Sequence, residues 1–454
     1  MAHALRTRFA PLLTALATLL IAAGSAHAAT PCTKVAAPSG SDSAAGTEAA
    51  PFKTAQELAS SLSAGQTGCL RGGSYTEGSN GYVVSPPKGG NAGAPITIRS
   101  YPGEQARLVG IVNVSKGVNN VTFSDLVFEG TGGMNTIKIY AADVVVENSE
   151  ITNAWRGLSC MMLGSNGSGG QALRTVIRGN EFHACGNPSN GNKDHAIYAA
   201  NLYEGEIVDN LFYDSAAYAI QLYPNAQKTR FAHNVVDGAS PSVRGGLVFG
   251  SEGSLASNDN VVEQNVIAYA QTYNVVASWG GAAGTGNIAR NNCLWAGKQG
   301  NLSNGGGLTV SGNITADPGF RDRAARDYRL KEGSPCLETV GYDTAAKLAE
   351  DGSGEPAPEP MPDPTPTPAP QPDPTPAPQP APTPQPQPSP TEPPATKPSP
   401  KPCATKSARR KRGKKACKRS TRSGSVRDSS RSRGRGKAAR KSKASRVARA
   451  RKAH

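Results

Sequence analysis

Residues 176–182 read VIRGNEF, residues 206–212 EIVDNLF, residues 230–236 RFAHNVV and residues 261–267 VVEQNVI. Each sets an Asn between two apolar residues, as Ile177/Asn180/Phe182, Ile207/Asn210/Phe212, Phe231/Asn234/Val236 and Val262/Asn265/Ile267. A fifth copy is read as Ile288/Asn291/Cys293, which makes the Asn-to-Asn steps 30, 24, 31 and 26 residues. A second motif interleaves with the first, a small residue ahead of alternating apolar positions: Gly157-Leu158, Ala196-Ile197, Ala219-Ile220, Gly246-Leu247 and Asn274-Val275. Repeats of this length demand a solenoid. Short β-branched runs between Asn and Gly turns leave no room for a helix in the coil, and leucine-rich spacing is absent. The fold class expected is all-β, a right-handed single-stranded parallel β-helix whose coils stack about 4.8 Å apart. Its repeated Asn side chains should form a ladder in one turn.

An open solenoid needs its end covered. Phe52, Ala55, Leu58, Ala59 and Leu62 mark one helical face, Thr54 and Glu57 have capping-box spacing, and Gly65 follows as a stop. A short helix over the first coil is predicted.

Charge is unevenly spread. Residues 401–454 hold 23 Lys and Arg against one acid, Asp428, a net +22, whereas the rest of the chain carries 26 basic and 33 acidic residues, a net −7. A basic, nucleic-acid-binding globular core is thereby excluded as the simplest reading. Residues 356–402 hold 23 of the 36 prolines, a composition that favours an extended spacer and builds no core. Arg6 and Arg8 precede an apolar stretch, Phe9–Ala23, and Ala26-His27-Ala28 has the form of a signal-peptidase site. The expected organisation is a leader over 1–28, an N-terminal segment over 29–49, the β-helix over 50–345, a Pro-rich linker over 346–402 and a disordered basic tail over 403–454. The mature chain should be exported, without a membrane span, monomeric, and held at anionic envelope polymers by its tail.

Eight cysteines in an exported chain, none in a metal-spaced C-x-x-C, point to disulfides. Cys32 and Cys69 flank the cap, Cys160 and Cys185 flank the longest interruption of the repeat, and Cys336 lies in the closing segment. Pairings 32–69, 160–185 and 293–336 are expected, with Cys293 at an inward position and 403–417 a further pairing in the tail.

GSDSAAGT (40–47), PFKT (51–54) and CLRGGSY (69–75) resemble the opening of secreted right-handed parallel β-helix proteins of the pectate-lyase-like superfamily. ADPGF (316–320) with DYRLKEGSPC (327–336) is similar to the way many of them close. The resemblance implies the fold; the superfamily includes lyases, hydrolases, epimerases and non-catalytic surface proteins. The Asp-Asp-Gly-x-Asp run that the resemblance would supply for calcium is missing, and Val248 or Phe249 stands where a lysine would be wanted. Asn192-Lys193-Asp194 matches only the first fragment of the hydrolases' pattern.

Stacking Ile137, Leu158, Ile197, Ile220, Leu247 and Val275 as inward residues gives three outward rows. One reads Lys138, Ser159, Tyr198, Gln221, Val248, Val276, and a second Tyr140, Met161, Ala200, Tyr223, Gly250, Ser278. The third reads Asn135, Arg156, His195, Tyr218, Gly245, Tyr273. Lys138, Arg156, Asp194, His195, Tyr198, Gln221, Tyr223 and Tyr140 form the candidate site. Its cations suit carboxylates, and its aromatic faces suit sugar rings. Lys138, Arg156 and His195 would neutralise a uronate, with His195 or Tyr198 as the base of a β-elimination and Asp194, Gln221, Tyr223 and Tyr140 binding substrate. Asp209 and Asp214 are candidate ligands for Ca2+; no other cofactor is called for. Two readings stand side by side: a polysaccharide lyase, and a non-catalytic surface protein that binds glycan or serves as a rod.

Overall fold

The computed structural model describes residues 31–352, apart from 79–80, 168, 192, 242–243, 280 and 282. The expected leader, nearly all of the Pro-rich linker, the basic tail and the 403–417 pairing lie outside the described residues.

One coil shows why this sequence winds as it does. Val176–Arg178 is a strand of a first sheet, Glu181–His183 of a second and Ile197–Tyr203 of a third, and Glu206–Val208 returns to the first. Ile177, Phe182, Ile197 and Ala199 point inward and are fully buried. Their register partners one coil on, Ile207, Phe212, Ile220 and Leu222, do the same. Repetition gives sheets of 11, 9 and 10 strands on the three sides of a solenoid, parallel except where Leu255–Ala256 pairs antiparallel with Leu247–Glu252. Inside, Phe182 and Phe212 stack with centroids 4.8 Å apart and planes 15° from parallel. Each such buried Phe contributes about 1.5–3 kcal/mol.

The first and second sheets meet at a two-residue turn, where the Asn ladder forms. Asn180 Nδ2 donates to Asn210 Oδ1 at 3.0 Å, Asn210 to Asn234 at 3.0 Å, and Asn234 to Asn265 at 3.0 Å. Each amide also donates to a backbone carbonyl one coil back, for example Asn234 Nδ2 to Ile207 O at 2.9 Å. The ladder continues through Asn292 to Asn313, not through Asn291. Asn291 instead takes the left-handed turn position before it, at φ 52°, as Asp209, His233 and Gln264 do in their coils.

That one-residue slip turns the strand over. Ala289 and Leu294 fill the inward positions, and Cys293 faces outward from the second sheet rather than inward as expected. There it bonds Cys336, with Cα atoms 5.3 Å apart. The other two expected bridges also form, Cys32–Cys69 at 5.5 Å and Cys160–Cys185 at 5.3 Å between Cα atoms.

The cap is helix Ala55–Ser61, with Ala55, Leu58 and Ala59 buried. Thr54 Oγ1 accepts from Glu57 N at 3.0 Å. Asp42, from the GSDSAAGT stretch, accepts from Lys53 N, Thr54 N and Thr54 Oγ1 at 2.9, 2.8 and 3.0 Å. Gly46 is required there: at φ 69° a Cβ would lie 2.1 Å from the Phe52 ring.

At the other end an antiparallel hairpin, Phe320–Asp322 with Asp327–Leu330, folds back on the outer face of the second sheet. Arg323 grips buried Asp237 through two bonds of 2.7 and 2.9 Å, Tyr328 OH donates to Asp237 at 2.9 Å, and Arg326 pairs with Asp214 at 2.6 Å. Helices Pro335–Val340 and Thr344–Glu350 complete the cover. Ordered structure therefore passes residue 345, where composition had placed the start of the linker, because Asp343 caps that last helix through Ala346 N at 3.1 Å. No helix among the described residues is long and apolar enough to cross a membrane.

Candidate active site

The third sheet is the one whose outer face the candidate residues occupy. Strand pairing places Asn113, Lys138, Met162, Tyr198, Gln221, Val248 and Val276 in one outward row. The sequence-based row therefore holds for Lys138, Tyr198, Gln221, Val248 and Val276. It fails in one coil, where Met161 is the inward residue and Met162 takes the place expected of Ser159. Ser159 moves two positions ahead of the strand and accepts from His195 N at 2.9 Å.

His195 is buried and has little freedom. Its Nδ1 accepts the backbone N–H of Tyr218 at 3.3 Å, and its ring lies 5.9 Å from that of Tyr198 and 5.8 Å from that of Tyr218. Burial pushes the imidazole down to about 3, against the opposing pull of a hydrogen bond to Gln221. It is thus a neutral ring whose Nδ1 is occupied, leaving Nε2–H to donate to the Gln221 carbonyl.

Tyr198 is half-buried. Burial raises its phenol to about 12, and neighbouring Tyr223 and Glu252 push the same way. Tyr223 is itself hydrogen-bonded to Glu252. Lys138 holds its ammonium 6.0 Å from the centre of the Tyr82 ring, and burial lowers its pKa while Glu77 opposes. Among the described residues no ion pair claims it. Tyr140, on the Lys138 coil, is raised by burial and by Tyr82.

Two expected members stand apart. Arg156 sits in the turn between the second and third sheets and pairs with Glu129 of the second sheet at 2.9 Å. Asp194 is buried and accepts from Asn187 N at 3.2 Å and Asn190 Nδ2 at 2.7 Å, so it holds the loop ahead of His195 in place. The Cys160–Cys185 bridge anchors the start of the same loop. Tyr82, Asn113, Met162 and Glu252 were missed. The paired Val83 and Val84, both buried, were the signal that a further coil begins at Tyr82.

Metal binding finds little support in the donor set. Asp214 commits its carboxylate to Arg326, and among the described residues no three His, Cys, Asp or Glu side chains are grouped to hold an ion. A cavity of about 990 Å³ lies elsewhere, on the second sheet beside Tyr101, Glu150, Glu181 and His183. Its chemistry is internally paired: His183 Nε2 and Glu150 Oε1 are 3.1 Å apart, and Tyr213 OH donates to Glu181. Asp351 and Gly352, just past the last helix, also line this cavity.

Coil, cap and ladder define a parallel β-helix. A 73-residue stretch is 44% identical to pectate lyase PEL9 of Emericella nidulans, covering 16% of this chain and 17% of that protein. The chain thus matches less than a fifth of that relative's length. Among solved structures it is similar to pectate lyase Pel9A, at 14% identity and a TM-score of 0.47, over 68% of this chain and 91% of that one. It is also similar to a rhamnogalacturonan lyase, at 15% identity and a TM-score of 0.49, over 68% of this chain and 99% of that one. No family model matches the chain.

Proposed function

We propose that the outer face of the third sheet binds an acidic polysaccharide and cleaves it by β-elimination. The observation that carries this reading is the placement of Lys138 and Tyr198 on one outward row, two coils or about 10 Å apart. Elimination needs a cation on the uronate carboxylate, so that the C5 proton becomes acidic, and a base to take that proton. Lys138 supplies the charge. Tyr198, as its phenolate, takes the C5 proton; the C–H electrons form the C4–C5 double bond as the C4–O bond breaks, and the same proton passes to the departing oxygen. His195 does not touch these atoms and acts as a positioning residue for Gln221, whose amide hydrogens suit sugar hydroxyls. Tyr140 and Tyr223, each two residues past a member of the row, offer aromatic faces on one side of it.

The protein in this reading is exported, and its net +22 tail holds it to anionic envelope polymers by counterion release. Deleting residues 401–454 should release it and leave the β-helix folded. Retention that persists through both the deletion and high salt would contradict this part.

The test of the activity is incubation of the purified chain with pectate, alginate and glycosaminoglycans while following the absorbance of unsaturated uronates. Product from one class supports the lyase. Binding without product from any class supports the non-catalytic reading instead.

A further inference from the structure

Three cations were expected at the site, and the structure leaves one on the row. Arg156 is bound to Glu129, and His195 is neutral in its burial. Lys138 is followed by Met162, Tyr198, Gln221, Val248 and Val276, none of them charged. On its other side Asn113 is neutral and bonds Ser115 Oγ at 2.8 Å. Two acids act along the groove, Glu77 on Lys138 and Glu252 on both Tyr198 and Tyr223.

A sugar chain lying along the row advances about one unit per coil spacing of about 4.8 Å. If every unit carried a carboxylate, one could meet Lys138 and the next would be desolvated against Met162, Tyr198 or Val248, with Glu252 repelling it. An anion moved from water to such a surface loses hydration that no cation of the row replaces. A neutral sugar or a carboxyl ester at those positions carries no such cost. On the reading that this groove binds glycan, we infer that its ligand is a uronate polymer of low charge density, with isolated carboxylates separated by neutral or esterified units.

The experiment uses the full chain in salt high enough to screen the tail, and polygalacturonates graded from fully de-esterified to highly methyl-esterified. Affinity electrophoresis should show tightest binding at intermediate esterification, several-fold over the fully de-esterified polymer. In Lys138→Met the preference for residual carboxylates should vanish, while the circular dichroism of the β-helix is kept. Affinity that climbs steadily to the fully de-esterified polymer would overturn the inference while leaving the groove as a glycan site. If no member of the series binds, or if binding is unchanged by Tyr198→Ala and Tyr223→Ala, the glycan-groove reading itself fails.

Discussion

His195 Nδ1 accepts the backbone N–H of Tyr218 at 3.3 Å, across one coil of the third sheet. The bond ties a titratable ring to the main chain that follows it, so protonating the ring destroys the contact. An unfolded histidine titrates near 6.5, whereas the buried His195 is held down to about 3. As pH falls, the unfolded chain therefore takes up the proton first. The stability conferred by the neutral ring is complete above about 6.5 and is lost as pH falls toward about 3. The urea midpoint of the wild-type chain should drop between about pH 7 and about pH 4 by more than that of His195→Gln. Equal drops would refute this role.

Alkaline activity is the second expectation. Tyr198 must be ionised to take a proton, and its phenol is raised to about 12, so kcat/KM should climb with pH well above neutrality. Lys138 must keep its proton, and burial holds it below its ordinary 10.5, so the profile should turn down again on the alkaline side. Tyr198→Phe should lower turnover by about 100-fold or more and erase the rising limb. Arg156→Ala should leave kcat close to wild type. An unchanged profile in Tyr198→Phe would remove it as the base.

The ladder register can be checked by neighbouring substitutions. Asn292→Ala strands buried donors and acceptors of Asn265, Val262 and Asn313 and should cost about 3 kcal/mol or more in chemical denaturation. Asn291→Gly keeps a residue suited to φ 52° and should cost no more than about 1 kcal/mol. The reverse order would restore Asn291 to the ladder.

These two asparagines show where the fold stopped being legible. The coils could be read because inward apolar residues and ladder Asn recur together, as at Ile207, Asn210 and Phe212. With two adjacent Asn the pattern fits either register, and only the ladder bonds across coils choose. The coil before His195 misled for a different reason. Gly157-Leu158 imitates a strand start, but the turn after Thr152 runs on to Cys160, and Met161 is the residue in register with inward Ile137 and Ile197. Alternation alone placed Lys138, Tyr198 and Gln221 on the outward row of the third sheet. Arg156 and Asp194 were misplaced because their partners, Glu129 and Asn190, depend on turns that alternation does not describe.

The closing hairpin is held by a cross-link and by a buried charge pair. Asp237→Ala would leave Arg323 and the Tyr328 hydroxyl without their acceptor and should destabilise by about 3–5 kcal/mol. Cys336→Ser should cost about 2–4 kcal/mol. In both variants hydrogen exchange should quicken over residues 316–350 before it does in the coils. Uniform loss of protection along the chain would show that the hairpin is not a separate unit.

Location of the bound polymer tests the account at its centre. A crystal structure of the protein soaked with a partially methyl-esterified oligogalacturonide should show the sugar along the outer face of the third sheet. One sugar should hold its carboxylate within hydrogen-bond distance of Lys138 Nζ while its own C5 faces Tyr198. A sugar seated on the second sheet beside Glu150 and His183, with the third-sheet row empty, would contradict it.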